Sequence, residues 1–274
     1  MDPKEAFNQL LNEFPFDNYI NCKLLSSSYK TITDTVVANL PISSKILDFG
    51  CGPCDKTTIL QKLGYDCFGY DDLQDNWHKM NNNREIILKF IKTQGINFID
   101  GENEKEWPFQ SSSFDMVMLH DVIEHLHDSP RTLLNDLVET LIDGGLLFIT
   151  VPNLGNIRKR IHLLLGKTNL APFNGYYWSP DPWRDHIREY VLDDLKKLAD
   201  YLELEVIEIM ARDHMLTSKK IPKIFIPFWK AITKLFPGWK DSWSLLAKKP
   251  IGWVKNSDPK EIEGYTYHPI VKKY

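Results

Sequence analysis

Residues 45–72 read KILDFGCGPCDKTTILQKLGYDCFGYDD, and this stretch decides how the rest of the chain is to be read. Ile46 and Leu47 close an apolar run suited to a strand. Gly50 and Gly52 then permit a sharp turn and let backbone approach a ligand with no Cβ in the way. Pro53 stands near the first position of a helix, and Thr57 to Leu63 carry apolar residues at helical spacing. A second strand, from about Tyr65 to Tyr70, ends on Asp71 and Asp72. Backbone N–H groups gathered at a helix start suit a carboxylate or phosphate, and an acid after the second strand suits ribose hydroxyls. The stretch predicts a nucleoside-cofactor site.

Three other readings of the turn fit less of it. A dinucleotide fold asks for G-x-G-x-x-G, but Asp55 stands where the third glycine belongs, and an acid there repels a pyrophosphate. Cys51-Gly-Pro-Cys54 has thioredoxin-type dithiol spacing. No Trp precedes it, however, and redox chemistry gives no role to Gly50, Gly52 or Asp71. Asp48-Phe-Gly50 matches a kinase metal motif, yet neither an H-R-D loop nor a glycine-rich loop lies upstream.

D-x-G-x-G from Asp48, with an acid about twenty residues on, resembles the first motif of class I S-adenosylmethionine-dependent methyltransferases. The resemblance runs from roughly Ile42 to Lys249. It is carried further by WPFQSSSFDMV from Trp107, DVIEHL from Asp121 and DGGLLFITVPN from Asp143 to Asn153. HIREY from His186 is similar to a branch that often modifies sugars or other polar metabolites. The resemblance implies binding of S-adenosyl-L-methionine and release of S-adenosyl-L-homocysteine. It also implies roles: Asp48 orders the glycine turn, Gly50, Cys51 and Gly52 bring backbone to the cofactor, and Asp71 with Asp72 holds the ribose. Asp100, beside Gly101, would read the adenine, and His120 joins this wall by its place at a strand end. Asp121 and His125 resemble, at the same separation, an acid and a histidine near the acceptor in phosphobase methyltransferases.

The alternation of strand and helix predicts an α/β fold, a Rossmann-like doubly wound sheet of seven strands with one reversed edge strand, the last. Met116 to Leu119 and Leu146 to Val151 are the continuous apolar runs expected of central parallel strands. Leu133, Leu134, Leu137, Val138 and Leu141 form one helical stripe closed by Gly144-Gly145. Asp48 to Gly52, Asp71, Asp100 and His120-Asp121 all fall at strand C-terminal ends, where such folds bind ligands. Residues 1–40 read as a helical cap, with Tyr29 a candidate cofactor contact. Residues 41–250 form the main domain, and 251–274 a tail whose Trp253, Tyr265 and Tyr267 pack back onto it.

The segment His120 to Asp128, HDVIEHLHD, is richest in candidate bases. No pair in it comes with a third ligand at a recognised spacing, so no metal is expected. Glu124 and His125 read equally as caps of the next helix. Residues 153–189 interrupt the alternation with an aromatic insertion, including Phe173, Tyr176, Tyr177, Trp178 and Trp183. Aromatic faces suit sugar rings, and Arg184 and Arg188 suit an anionic group. One expectation is a lid in which Tyr177, Trp178, Arg184 and Arg188 touch the acceptor, His125 or His186 is the base and Asp121 orients the nucleophile. The other is a second small core.

The 274 residues, 43% of them apolar, suffice for one large core, and a net charge of −4 gives no global attraction to nucleic acid. Four cysteines and the lack of an apolar leader point to a reduced, cytoplasmic setting. No run approaches a membrane span. The stretch 219–240 is basic; it reads as a helix packed on the sheet or as a peripheral membrane contact. The function expected is O-methylation of a sugar, nucleotide sugar or surface-glycan precursor. N-methylation of a small amine or phosphobase is the alternative, and a non-catalytic cofactor-binding scaffold is a third reading. No [DN]-P-P-[FY] string follows the fourth strand, which argues against methylation of nucleic-acid bases.

Overall fold

The computed structural model describes residues 1–20, 28–104, 106–214 and 226–256. Two helices lead, α1 (Pro3–Glu13) and α2 (Ser28–Asn39). α1 starts where the sequence says it should: Asp2 accepts a hydrogen bond from the Glu5 N–H at 2.9 Å, and Pro3 holds the first turn. Then β1 (Lys45–Phe49), α3 (Asp55–Lys62), β2 (Asp66–Asp71), α4 (Asn76–Lys79), α5 (Asn83–Gln94), β3 (Asn97–Asp100), β4 (Phe114–His120), α6 (Arg131–Thr140) and β5 (Leu141–Pro152) follow. The insertion supplies α7 (Ile157–Leu164) and α8 (Phe173–Tyr177). The chain continues through α9 (Leu192–Tyr201), β6 (Glu205–Arg212), α10 (Ile226–Leu235) and β7 (Ser242–Lys248).

The seven strands form one sheet in the order β3-β2-β1-β4-β5-β7-β6. β3, β2, β1, β4 and β5 pair in parallel, and β7 runs antiparallel to both of its neighbours. The reversed strand is therefore not at the edge, as expected, but is inserted between β5 and β6. A strand at the edge leaves one backbone row unpaired; in this position both rows of β7 are paired.

Strand alternation sorts the apolar side chains to two faces. Leu47, Val117, Leu119, Leu147, Ile149 and Leu245 meet α6 and α9 on one side. Ile46, Met116, Met118, Phe148 and Leu246 meet Ile32 and Val36 of α2 on the other. A third cluster joins Phe7 and Leu10 of α1 to Ile59 of α3 and Ile87 and Phe90 of α5. Each such fully buried side chain contributes about 1.5–3 kcal/mol. Winding reverses between β1 and β4, which places the ligand cleft beyond Phe49 and His120.

Several local expectations shift. α3 begins at Asp55, two residues after Pro53, because Cys54 takes a left-handed conformation (φ 57°) before the helix. Leu141 belongs to β5, and Gly144-Gly145 lies inside that strand, next to a register shift between Phe114 and Met116. α10 does not pack its apolar face on the sheet: Phe228, Leu235 and Phe236 are exposed. It is tethered instead by Asp213, which accepts from Trp229 Nε1 at 3.3 Å and Thr233 Oγ1 at 3.2 Å. Trp253 does fold back, donating from Nε1 to the Leu202 carbonyl at 2.7 Å. Tyr265, Tyr267 and the lysines at 219, 220 and 223 lie outside the described residues.

Candidate active site

The first half of the cleft is made by backbone. Gly50 (φ 74°) and Gly52 (φ 52°) both occupy the left-handed region. A Cβ on Gly50 would stand 2.5 Å from Val122 Cγ2, so any other residue displaces Val122 and strains the positive φ. The Gly50 N–H donates to the Tyr70 carbonyl at 2.7 Å, and the Gly52 N–H donates to Asp71 Oδ2 at 2.8 Å. Asp71 Oδ1 accepts from the Leu73 N–H at 2.7 Å. The acid after β2 thus clamps both the glycine turn and its own loop. Asp48 is buried and accepts from Thr57 Oγ1 at 2.6 Å; burial lifts its pKa to about 6. Asp55, which spoiled the dinucleotide motif, accepts from the Tyr29 hydroxyl and so ties the helical cap to the start of α3.

Cys51 and Cys54 are buried free thiols with Sγ atoms 3.2 Å apart. Burial pushes both thiols up, away from the reactive thiolate. They are packing groups under the turn. Buried His78 lies beside Gly52 with an unpartnered Nδ1. A glycine cradle that a Cβ would fill, an anchored acid and this orphaned nitrogen fit a nucleoside cofactor with a polar tail.

The other half is assembled from side chains. After β4 the chain turns at Asp121 (φ 58°), whose carboxylate pairs with Lys56 Nζ at 3.8 Å. Glu124 and His125 follow in a short 3-10 turn. Segment 183–188 of the insertion is strapped onto that turn. The Ile187 and Arg188 N–H groups donate to the Glu124 carbonyl at 2.7 and 3.1 Å. His125 Nδ1–H donates to the Arg184 carbonyl at 2.9 Å, and His127 Nε2–H donates to the Trp183 carbonyl at 2.5 Å. His186 Nδ1 bonds Glu189 Oε1 at 2.9 Å, and Glu189 also pairs with Lys159. The His125 and His186 rings meet edge to face, 4.9 Å between centroids.

Glu124 is fully buried, and neither carboxylate oxygen has a hydrogen-bond partner. Burial, reinforced by Asp121, lifts its pKa to about 8. By sequence Glu124 is equally a candidate base and a cap; what singles it out is burial, which no spacing reveals. His186 is raised, chiefly by its bond to Glu189. His120 is buried, with Nδ1 3.2 Å from Thr150 Oγ1, and burial holds it neutral. A cavity of about 780 Å³ opens beside this group, lined by Asp121, Glu124, His186 and Glu189 together with residues of the insertion and of the β7 entry.

The expected residues therefore divide. Asp48, Gly50, Cys51, Gly52 and Asp71 gather at the β1–β2 end, and Gly101 closes the neighbouring strand with its Cα against the Tyr70 ring. Asp100 lies in register with Asp71, but its carboxylate is engaged by Arg84 at 2.6 Å and by Asn103 Nδ2 at 2.9 Å. Asp72 and Arg184, assigned to cofactor and acceptor, hold each other: Arg184 Nη1 donates to both Asp72 oxygens at 2.9 and 3.2 Å. This pair bridges the insertion to β2. Arg188 lines the cavity, with its guanidinium over the Tyr190 ring and 3.4 Å from Asp194. Tyr177 and Trp178 are exposed and do not line the cavity, so they form neither the expected lid nor a second core.

A family model described as a methyltransferase domain matches residues 24–209. The human mitochondrial ubiquinone biosynthesis O-methyltransferase is 25% identical over 181 residues, 64% of this chain and 45% of that protein. The chain thus spans less than half the length of that curated relative. Among solved structures, a protein described as a putative sarcosine dimethylglycine methyltransferase from Galdieria sulphuraria superposes with a TM-score of 0.53 at 16% identity, over 81% of this chain and 85% of that one. The phosphoethanolamine N-methyltransferase 2 of Haemonchus contortus, in complex with S-adenosyl-L-methionine, gives 0.50 at 16% identity, over 91% and 60%. A glycine cradle at the winding switch, an anchored acid after β2 and a family match across two-thirds of the chain agree: the chain belongs to the methyltransferase-domain family of class I, S-adenosylmethionine-dependent enzymes.

Proposed function

We propose that the chain methylates an oxygen of a hydroxyl-bearing polar small molecule, of the class of a sugar, nucleotide sugar or surface-glycan precursor. The observation that carries this reading is the tautomer of His125. Its Nδ1–H is fixed on the Arg184 carbonyl, so Nε2 keeps its lone pair for a hydroxyl proton. Bound S-adenosylmethionine supplies an already activated sulfonium methyl. The chain's own residues must hold the two reactants in line and take the proton. Orientation of this kind contributes about 7–11 kcal/mol, and a placed base about 10²–10⁴-fold. The insertion, strapped at Glu124 and latched at Asp72, closes the cleft. The name of the human relative, an O-methyltransferase, favours oxygen over nitrogen.

Incubation with labelled cofactor and a panel of nucleotide sugars, free glycosides, phenols and amines tests the reading. Transfer to a hydroxyl, lost about 10²-fold or more in His125→Ala, is expected. Transfer confined to amines would replace it with the N-methyl reading. Binding of cofactor with no turnover on any acceptor would favour the scaffold.

A second reading concerns how the acceptor arrives. Leu163, Leu164, Leu165, Leu170, Phe173 and Trp178 of the insertion are exposed, as are Phe228, Leu235 and Phe236 near α10. Residues 151–180 carry Arg158, Lys159, Arg160 and Lys167 and no acid; residues 219–240 carry six lysines and no acid, in a chain of net charge −4. Exposed apolar side chains on stretches of sequence that carry cations and no acid fit an anionic lipid surface. No described helix is long and apolar enough to cross a membrane. Co-sedimentation with vesicles containing phosphatidylglycerol, but not with neutral ones, supports a lipid-borne acceptor; equal indifference to both removes it.

A further inference from the structure

Three potential metal donors converge where the sequence offered only two. One donor atom each from Glu124, His125 and His186 lies within 4.8 Å of the others. Both imidazoles are already oriented from behind: His125 Nδ1 by the Arg184 carbonyl, and His186 Nδ1 by Glu189, itself held by Lys159. With both Nδ1 atoms committed, Nε2 is the nitrogen each ring has left to offer. Backing of a ligating imidazole by a carbonyl or carboxylate is the usual outer support of a metal site. The third donor carries the strongest signal. Glu124 is buried at the cavity wall and no other residue partners either carboxylate oxygen, an arrangement that costs free energy unless something cationic or acidic answers it. A proton alone answers one oxygen and leaves a new O–H donor unpaired.

We infer that Glu124, His125 and His186 bind a divalent transition-metal ion at the acceptor end of the cleft. Two imidazoles and a carboxylate select zinc, manganese, iron, cobalt or nickel over magnesium and calcium, which prefer all-oxygen sites. A tetrahedral ion about 2.0–2.1 Å from each donor needs them about 3.3 Å apart, inside the 4.8 Å within which the three residues already bring a donor atom each. Three protein ligands leave a position open, and Glu124 and His186 line the cavity. An acceptor hydroxyl on that position would lose its proton more readily, to the Asp121 carboxylate on the same cavity wall. Without the ion, His125 Nε2 remains the proton acceptor. The catalytic role of the ion rests on the function proposed above; its binding does not.

The test uses the full chain, stripped with chelator and titrated with Co²⁺ alone and with Zn²⁺ alone, without cofactor or acceptor. One equivalent should bind, with a visible ligand-field spectrum for Co²⁺ and a rise in melting temperature with either ion. Glu124→Gln, which preserves shape, and His186→Ala should each weaken binding at least about 10-fold while retaining S-adenosylhomocysteine binding as proof of fold. His162→Ala, which removes an imidazole of α7 that is not among the converging donors, should change nothing. Failure of the parent to bind either ion overturns the proposal. So does binding that survives both ligand variants, or that falls equally in His162→Ala. Loss of methyl transfer with metal binding intact would sink the proposed function and leave the site standing.

Discussion

Residues 48–72 and residues 121–189 build the two ends of one cleft by different means. At the first, two left-handed glycines are held by N–H bonds to the Tyr70 carbonyl and the Asp71 carboxylate, all within 25 residues of chain. At the second, a 3-10 turn after β4 is completed by a segment about sixty residues further on, through the carbonyls of Glu124, Trp183 and Arg184. A site made of local backbone tolerates no change at its glycines but is indifferent to distant loops. A site made by docking an insertion tolerates single changes and can be retuned by them. That division suits an enzyme class in which one cofactor serves many acceptors.

The sharpest attempt to break the contrast is Gly50→Ala. It meets Val122 at 2.5 Å and strains a positive φ, so cofactor affinity should fall more than about 100-fold by calorimetry, on the order of 3 kcal/mol. Near-normal binding would show that the turn is not the cradle. Next comes Glu124→Gln, measured as metal-free protein. The Glu124 carboxyl stays protonated up to about pH 8 in the folded chain, against an ordinary value of 4.5. The folded state therefore binds more protons, and stability falls as pH rises from 4.5 to 8 and then levels. The variant should gain on the parent at pH 9, by a few kcal/mol or several degrees, and match it at pH 4. A gain independent of pH would point to packing instead.

Arg184→Ala removes the latch to Asp72 and loosens the carbonyl that orients His125. Because the ion pair is half exposed, the loss should be modest, about 3–10-fold in kcat/KM for the acceptor, with cofactor affinity changed less than about twofold. An equal loss in both would merge the two ends into one unit. The smallest effect belongs to Tyr177→Ala with Trp178→Ala. Trp178 is 79% exposed, so the unfolding free energy should hold within about 0.5 kcal/mol, and turnover of a water-soluble acceptor should be unchanged. A fall in turnover would restore the lid.

Much of the first end was legible in residues 45–72, because a glycine requirement, a helix stripe and an acid at a strand end are properties of a few consecutive residues. The same holds for the central strands, whose apolar runs are the direct imprint of burial on both faces. The start of α3 slipped by two residues because Cys54, like Gly50 and Gly52 before it, adopts the left-handed conformation. The placement of β7 between β5 and β6 was invisible, since strand order is decided by pairing partners far apart in the chain. Arg184 shows the limit plainly. As a guanidinium in an aromatic insertion it invites an anionic acceptor, yet the fold commits it to Asp72, 112 residues away. Glu124 shows the converse. Between His120 and His125 it is one acid among several, and only the closing of the insertion over it strips its carboxylate of water and partners. The parallel sheet and the cofactor turn are legible in the chain alone, because local backbone preference and hydrophobic period carry them, and the family is legible through the resemblance of its motifs. Tertiary structure alone decided which of many titratable groups share the acceptor end, because desolvation and convergence arise only when distant segments are packed together.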